Sequence, residues 1–290
     1  MIRGMRSHQY RYRYSWVIPL LLLTSLGGYA ETVYRWQDSE GNRHYGDIPP
    51  ESAQQISEIE LAHTTALYVV EKVIDGDTIR VRDLGKVRLL GINAPEIAHR
   101  ERAGEPFGEQ AHQRLSELLG GRRVYLHFDS QRRDRFDRVL AYVMREDGLH
   151  VNELLLQEGL ARALFLQPNM LQLENYYRIE LGAQQAGRGI WSLREYQIRP
   201  AGQAGKCIKQ FCRLRGVIRR VEVKRDYIYL YLPGKLQVAI HKGQRSQFEE
   251  AGIELEGLKG SEVAVRGWIG SREEKPYLRL QHPWQIEVKQ

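Results

Sequence analysis

The chain has 290 residues, enough for more than one domain with a real core. Its formal charge is +7, but the first 30 residues carry four arginines and no acid, so the remainder is only +3. That value alone says little about partners. The excess is local: residues 197–290 hold 18 basic and 10 acidic side chains, residues 66–196 hold 19 of each, and residues 31–65 hold 2 and 7.

Residues 1–30 read as a cleaved secretory signal. Arg3, Arg6, Arg11 and Arg13 precede an apolar run from Trp16 to Leu26, and Gly28-Tyr29-Ala30 offers the small residues that a signal peptidase needs. The run is too short, and too broken by Pro19 and Gly27, to make a comfortable membrane span. The alternative is an uncleaved anchor. A lipid anchor is disfavoured, since no cysteine lies near the cleavage point. The expectation is an exported protein, periplasmic or secreted, with no stable membrane span.

Residues 31–65 form the next unit. Tyr34 and Trp36 alternate with polar residues, Asp38 to Gly41 turn the chain, His44-Tyr45 return it and Pro49-Pro50 end it, which predicts a small hairpin. Its aromatics suit a miniature core, with a ligand site as the alternative. The polar run after Glu51 reads as a linker. The stretch resembles a small module of unknown function often found just behind the signal peptide of bacterial envelope proteins.

From Ala66 the pattern changes. Leu67–Ile74 is apolar and β-branched, Thr78–Arg82 alternates, and Lys86–Leu90 makes a third strand. A helix follows in "EPFGEQAHQRLSELLGG", with Pro106 in its first turn, one apolar stripe of Phe107, Ala111, Leu115, Leu118 and Leu119, and Gly120 as its stop. Strands at Val124–Phe128 and Val139–Met144 complete the order of a five-stranded Greek-key barrel of the OB type. Helices near Val151–Glu158 and Met170–Ala186 close the unit, with Trp191 as a late anchor. The fold class is thus mainly β with helices, or α+β, over residues 66–196.

Residues 197–290 repeat the theme as a second, smaller OB-like barrel, with strands in "CRLRGVIRRVEV", "YIYLYL", "LQVAI", "EVAVRGWI" and "YLRLQ" and a short helix near Ser246. In "YIYLYL" the aliphatic Ile228, Leu230 and Leu232 predict a core face. Tyr227, Tyr229 and Tyr231 share the other face, as a platform for single-stranded bases or as an ordinary half-exposed strand. The only cysteines, Cys207 and Cys212, lie in "CIKQFC". They form either a disulfide, worth roughly 2 kcal/mol for so short a loop, or a reduced structural pair. No second Cys or His pair completes a zinc set.

The chemistry-bearing residues form one ordered set: "IDGDT" at 74–78, "RLLGINAPE" at 88–96 and "DRFDRVLAYV" at 134–143. Each alone is weak, since Asp-Gly is a common turn and proline ends many strands. Together, with "NELLLQEGLA" at 152–161 and "GIWS" at 189–192, they resemble the staphylococcal nuclease, or thermonuclease, family over residues 66–192. The resemblance implies a calcium-ligating Asp77 with Asp75 as a supporting acid. It implies Arg88 and Arg138 as clamps on the scissile phosphate, Glu96 as the base that activates water, and the backbone carbonyl of Ala94 as a metal ligand. Asn93 stands where the family more usually has a second aspartate ligand, so calcium use is weakened or altered. Phe136 takes the place of one of the tyrosines that the family sets beside the nucleotide, and Phe165 of another.

The residue types suit that chemistry independently. An ionised glutamate can take a proton from water at neutral pH, with a reference pKa of about 4.3. Arginine offers a planar fork to two phosphate oxygens and never loses its charge. Oxygen donors suit a hard cation. No Walker loop, dinucleotide fingerprint, HExxH motif or GxSxG elbow is present, and the nine histidines show no metal-ligand spacing. The expectation is an exported calcium-dependent endonuclease that hydrolyses phosphodiester bonds of DNA and RNA with little sequence specificity. The alternative is a catalytically decayed nucleic-acid-binding envelope protein. No protein partner is implied.

Overall fold

The computed structural model describes residues 66–99, 103–164 and 166–289, together with three strands in residues 33–59. The expected signal at 1–30 and Phe165 lie outside the described residues. Strands β1 (Val33–Gln37) and β2 (Arg43–Gly46) pair as the expected hairpin, with Trp36 opposite His44. A third strand, β3 (Gln54–Ile59), pairs with the other side of β1 where a linker was expected. Its sequence, QQISEI, lacks the strict apolar alternation by which a strand is read.

Strands β4 (Tyr68–Asp75), β5 (Thr78–Val81) and β6 (Gly85–Leu89) are followed by a two-residue strand β7 (Ile92–Asn93), helix α1 (Gly108–Leu119), and strands β8 (Arg123–His127) and β9 (Val139–Arg145). A closed barrel forms in the order β4-β5-β6-β9-β8, as the sequence predicts. Strands β6 and β9 run parallel, and every other pairing is antiparallel. Val70, Ile79, Val87 and Leu126 are fully buried inside it. Ala111, Leu115, Leu118 and Leu119 place the α1 stripe in the same core.

Helix α1 begins later than expected. Phe107 takes a left-handed conformation (φ 67°), so Pro106 and Phe107 lie in the turn before the helix. Gly108 packs so tightly that a Cβ there would stand 2.3 Å from the Glu96 carbonyl oxygen. Gly76, between the two aspartates, is equally constrained: its Cβ would lie 2.6 Å from Ala94 Cβ and 2.7 Å from Ala111 Cβ. The glycine of "DGD" thus serves close packing of a turn, a strand exit and a helix.

Helix α2 (Val151–Gln157), strand β10 (Arg162–Ala163) and helix α3 (Leu173–Gln185) close the unit. Buried Asn152 donates to the Leu90 carbonyl at 2.8 Å and accepts from the Val143 amide at 2.9 Å, tying the exit of β6 to β9. Trp191 is buried, as expected of an anchor.

The C-terminal unit holds β11 (Ile198–Pro200), β12 (Gln210–Val217), β13 (Arg220–Val223), β14 (Tyr227–Tyr231), β15 (Gln237–His241), helix α4 (Arg245–Glu250), β16 (Glu262–Arg272), β17 (Lys275–Leu280) and β18 (Ile286–Val288). These strands make one eight-stranded sheet in the order β11-β12-β16-β17-β15-β14-β13, with β18 on β16. The ladder is an open path, so the sheet is compatible with the expected second barrel without closing as one. Ile228, Leu230 and Leu232 are buried in its core with Phe248, as the alternation predicts. Cys207 and Cys212 form a disulfide at the entrance to β12. Among the described residues, no helix is long and apolar enough to cross a membrane.

Candidate active site

The turn between β4 and β5 carries the first acids. Asp77 is buried, and its amide donates to Asp75 Oδ1 at 3.0 Å. Asp77 Oδ1 accepts from the Thr78 hydroxyl at 3.0 Å, while Oδ2 accepts from the Ala94 amide at 2.9 Å. Arg88 reaches the same Oδ2 at 2.8 Å. The register explains the meeting: Arg88 on β6 lies opposite Thr78 on β5. Arg88 also donates to Asn93 Oδ1 at 3.3 Å, and Asn93 Nδ2 donates to the Ala94 carbonyl at 3.1 Å. Asp75, Asp77, Arg88, Asn93 and Ala94 are therefore one connected cluster.

A tight glycine turn and a backbone clamp flank the cluster. Gly91 (φ 73°) turns β6 into β7, and a Cβ there would be 2.8 Å from the ring of buried Tyr176. That close turn sets the span between Arg88 and Asn93. Downstream, the Glu105 amide donates to the Glu96 carbonyl at 2.8 Å, and the Glu96 amide donates to Glu105 Oε2 at 3.2 Å. The backbone of Glu96 is clamped, while among the described residues its carboxylate makes no hydrogen bond or ion pair.

Arg138 directly precedes β9. Arg88 pairs with Leu140 across the parallel ladder, so Arg138 sits two residues before that partner. Its guanidinium is held by Asp134, with Nε and Nη2 both 2.8 Å from Oδ2. Burial alone would raise the Asp134 pKa, but bonds from Arg138 and the Phe136 amide outweigh it and hold the carboxyl below its ordinary value. Asp134 was not singled out from sequence; an acid four residues before Arg138 is the signal that could have found it.

The chain matches the Staphylococcal nuclease homologue family over residues 86–193. It is 38% identical over 128 residues to the thermonuclease of Staphylococcus hyicus, an overlap spanning 43% of this chain and 75% of that protein. The chain belongs to the staphylococcal nuclease homologue family. It is also 37% identical over 146 residues to the SPbeta prophage-derived endonuclease YokF of Bacillus subtilis (strain 168), spanning 49% of this chain and 48% of that one. Endonuclease YncB of the same organism is 39% identical over 132 residues, 44% of this chain and 62% of its own length. Residues 20–67 match a Domain of unknown function (DUF4124).

The staphylococcal nuclease cluster fits a hard cation by the chemistry of its donors. The carboxylates of Asp75 and Asp77, the Asn93 amide oxygen and the Ala94 carbonyl are all oxygen ligands of the kind calcium takes. Burial pushes the Asp77 carboxyl up to about 7, neighbouring Asp75 adds to the rise, and Arg88 opposes it. A carboxylate held so near neutrality is one that a bound cation would ionise. Among the described residues, no three His, Cys, Asp or Glu side chains gather as a metal group.

The expected stacking residues are distributed unevenly. Phe136 is 64% exposed and lies beside the guanidiniums of Arg135 and Arg138, at 4.8 and 5.5 Å from its ring centre. Tyr229 is 5% exposed, and this corrects the expected open tyrosine face. Its ring lies 5.9 Å from Tyr227 and 6.4 Å from Tyr231, Lys224 covers it, and Arg272 donates to its hydroxyl. Strand alternation identified the face but not the long cationic side chains that fold over it. Tyr227 and Tyr231 remain half-buried.

A cleft of about 900 Å³ runs beside the cluster. Asn93 and Glu96 line one side, and Lys209, Trp268, Tyr277 and Arg279 of the C-terminal unit line the other. Trp268 is 55% exposed and was not singled out from sequence. Its alternation with inward Gly267 and Ile269 in "RGWIG" was the available signal.

Proposed function

We propose that the chain is an exported, metal-dependent endonuclease that hydrolyses phosphodiester bonds of DNA and RNA with little sequence specificity. The single observation that carries this reading is the Glu96 carboxylate on the cleft, which has no hydrogen-bond or ion-pair partner among the described residues and shares that cleft with Asn93 of the Asp77–Arg88 cluster. Relatives called thermonuclease and endonuclease support it. In the reaction, Glu96 takes the proton of the attacking water. Arg88 and Arg138 turn from Asp77 and Asp134 toward the phosphoryl oxygens and stabilise their growing charge. Asp77, Asn93 and the Ala94 carbonyl would hold calcium, with Asp75 in support. Bound calcium supplies positive charge at the phosphate. Export rests on residues 1–30, and cell fractionation tests it.

The second reading, a decayed nucleic-acid-binding protein, draws on Asn93, whose neutral amide is bonded to the Ala94 carbonyl. One assay separates the two. The purified chain is incubated with labelled DNA and RNA in calcium or in chelator. Cleavage of both in calcium, suppressed by chelator, is expected; binding without cleavage would favour the decayed site.

A further inference from the structure

The C-terminal sheet presents one continuous outer face to the cleft. Phe211 on β12 stands opposite Trp268 on β16, Gly270 opposite Tyr277 on β17, and Arg279 opposite Ala239 on β15. Ala239 in turn stands opposite Tyr229 on β14. Directly opposed residues share a face of a sheet, as do residues two apart along a strand. Arg266, two residues before Trp268, belongs to the same face and is buried against Glu180 of α3. The face therefore begins as the contact between the two units, opens at Trp268 as the wall facing Glu96, and continues past Tyr277 and Arg279 toward Tyr227.

The open part of this face has a distinct chemistry. Trp268 offers an exposed indole, Tyr277 a half-buried ring, and Lys209 and Arg279 exposed cations. Arg279 lies 5.7 Å from the ring centre of Tyr227, so the alternation of cation and aromatic extends beyond the cleft. The acids lining the cleft, Glu96, Glu105 and Glu195, come from outside this sheet. Cations that follow a phosphate backbone, interleaved with rings on which bases stack, suit single-stranded nucleic acid.

We propose that this face, from Trp268 through Tyr277 and Arg279, is a binding track for the unpaired nucleotides that flank the scissile phosphate. The position of that phosphate rests on the nuclease reading above; the track itself rests on the sheet. Bases stack on Trp268 and Tyr277, while Lys209 and Arg279 meet the phosphates. The track makes the enzyme favour single strands long enough to cross from Glu96 to the second unit. Paired bases in a duplex cannot offer both faces to the rings.

The test uses the full chain carrying Glu96→Gln, so that the probe survives, with fluorescein-labelled oligothymidylates of 3 and 12 nucleotides and a 12-base-pair dT·dA duplex. Added Trp268→Ala should weaken binding of the 12-mer by about 5- to 150-fold, the range for one lost base stack. The trimer should lose much less. Added Arg279→Ala should lower the salt slope of 12-mer binding by about 0.7, one phosphate contact. Trp268 is exposed, so the fold is kept, and Arg279→Ala is an independent check. Unchanged 12-mer affinity in both variants overturns the track, as does an equal loss with the duplex. Hydrolysis of the 12-mer by the chain with native Glu96 is measured alongside. Hydrolysis with Trp268-independent binding overturns the track alone; Trp268-dependent binding without hydrolysis supports the track and removes the nuclease reading.

Discussion

Glu180 of α3 and Arg266 of β16 form a buried ion pair between the two units, with Nη2 of the arginine 2.8 Å from Oε1. The same Oε1 accepts the Ala163 amide at 2.9 Å. Ala163 is on β10, whose neighbour Arg162 pairs with Asn93 on β7. One carboxylate thus links the C-terminal sheet to the strand beside the site.

Arg266→Leu should be strongly destabilising, because it leaves the Glu180 carboxylate buried without its cation. Breaking one partner of such a pair costs about 3–5 kcal/mol. The double variant Glu180→Leu with Arg266→Leu should recover much of that loss. Urea unfolding of the native chain, each single variant and the double variant measures it. A double variant less stable than Arg266→Leu would contradict the stranded-charge account.

Arg88→Lys and Arg138→Lys should each lower turnover by about 10²–10³-fold, as for loss of one donor to a developing oxyanion. Lysine keeps the charge but not the planar fork. Near-native rates with lysine at both positions would remove the phosphate-clamp role.

Calcium affinity should rise with pH and level off above about 7, where Asp77 loses its proton. Below that value the proton competes with the metal, at about tenfold in affinity per pH unit. The same shift carries a stability consequence without metal. The folded Asp77 pKa exceeds an unfolded value of about 3.9. Its contribution to stability is therefore full below that unfolded value and is lost as pH rises through about 7. Calorimetric titrations at pH 5.5, 6.5, 7.5 and 8.5 test the affinity trend. An affinity flat across the series would mean that Asp77 is already ionised throughout.

Asn93→Asp should tighten calcium binding and lower the calcium needed for half-maximal activity. A second negative charge beside Asp77 adds attraction to a divalent ion, about 4 kcal/mol per unit charge pair at 4 Å and an effective dielectric of 20, before desolvation. The gain at saturating calcium should be smaller, since Arg88, Glu96 and Arg138 are unchanged. Identical titrations of the two chains would place Asn93 outside the metal's reach.

The barrel was legible because its strands carry apolar alternation and its helix a single stripe, as Ile79 and Leu115 show. The site was legible because a strand-turn-strand register brings Asp77 to Arg88, and sequence order preserves that register. Other features left no periodic trace. The β3 sequence, QQISEI, lacks strict apolar alternation. The late start of α1 follows from Phe107 turning left-handed where Gly108 meets the Glu96 carbonyl, a tertiary contact. The burial of Tyr229 depends on Arg272 and Lys224, distant in sequence or on a neighbouring strand. Trp268 gains its meaning only when Arg266 docks its strand beside Glu96.

Glu96 is proposed as the base of a working nuclease. The most direct measurement compares hydrolysis of a labelled oligonucleotide by the native chain and by Glu96→Gln, in saturating calcium, with binding followed in parallel. Glutamine keeps the shape of the side chain but cannot take the proton. Turnover should fall about 10²–10⁴-fold with affinity nearly unchanged. Hydrolysis by Glu96→Gln at the native rate would contradict it.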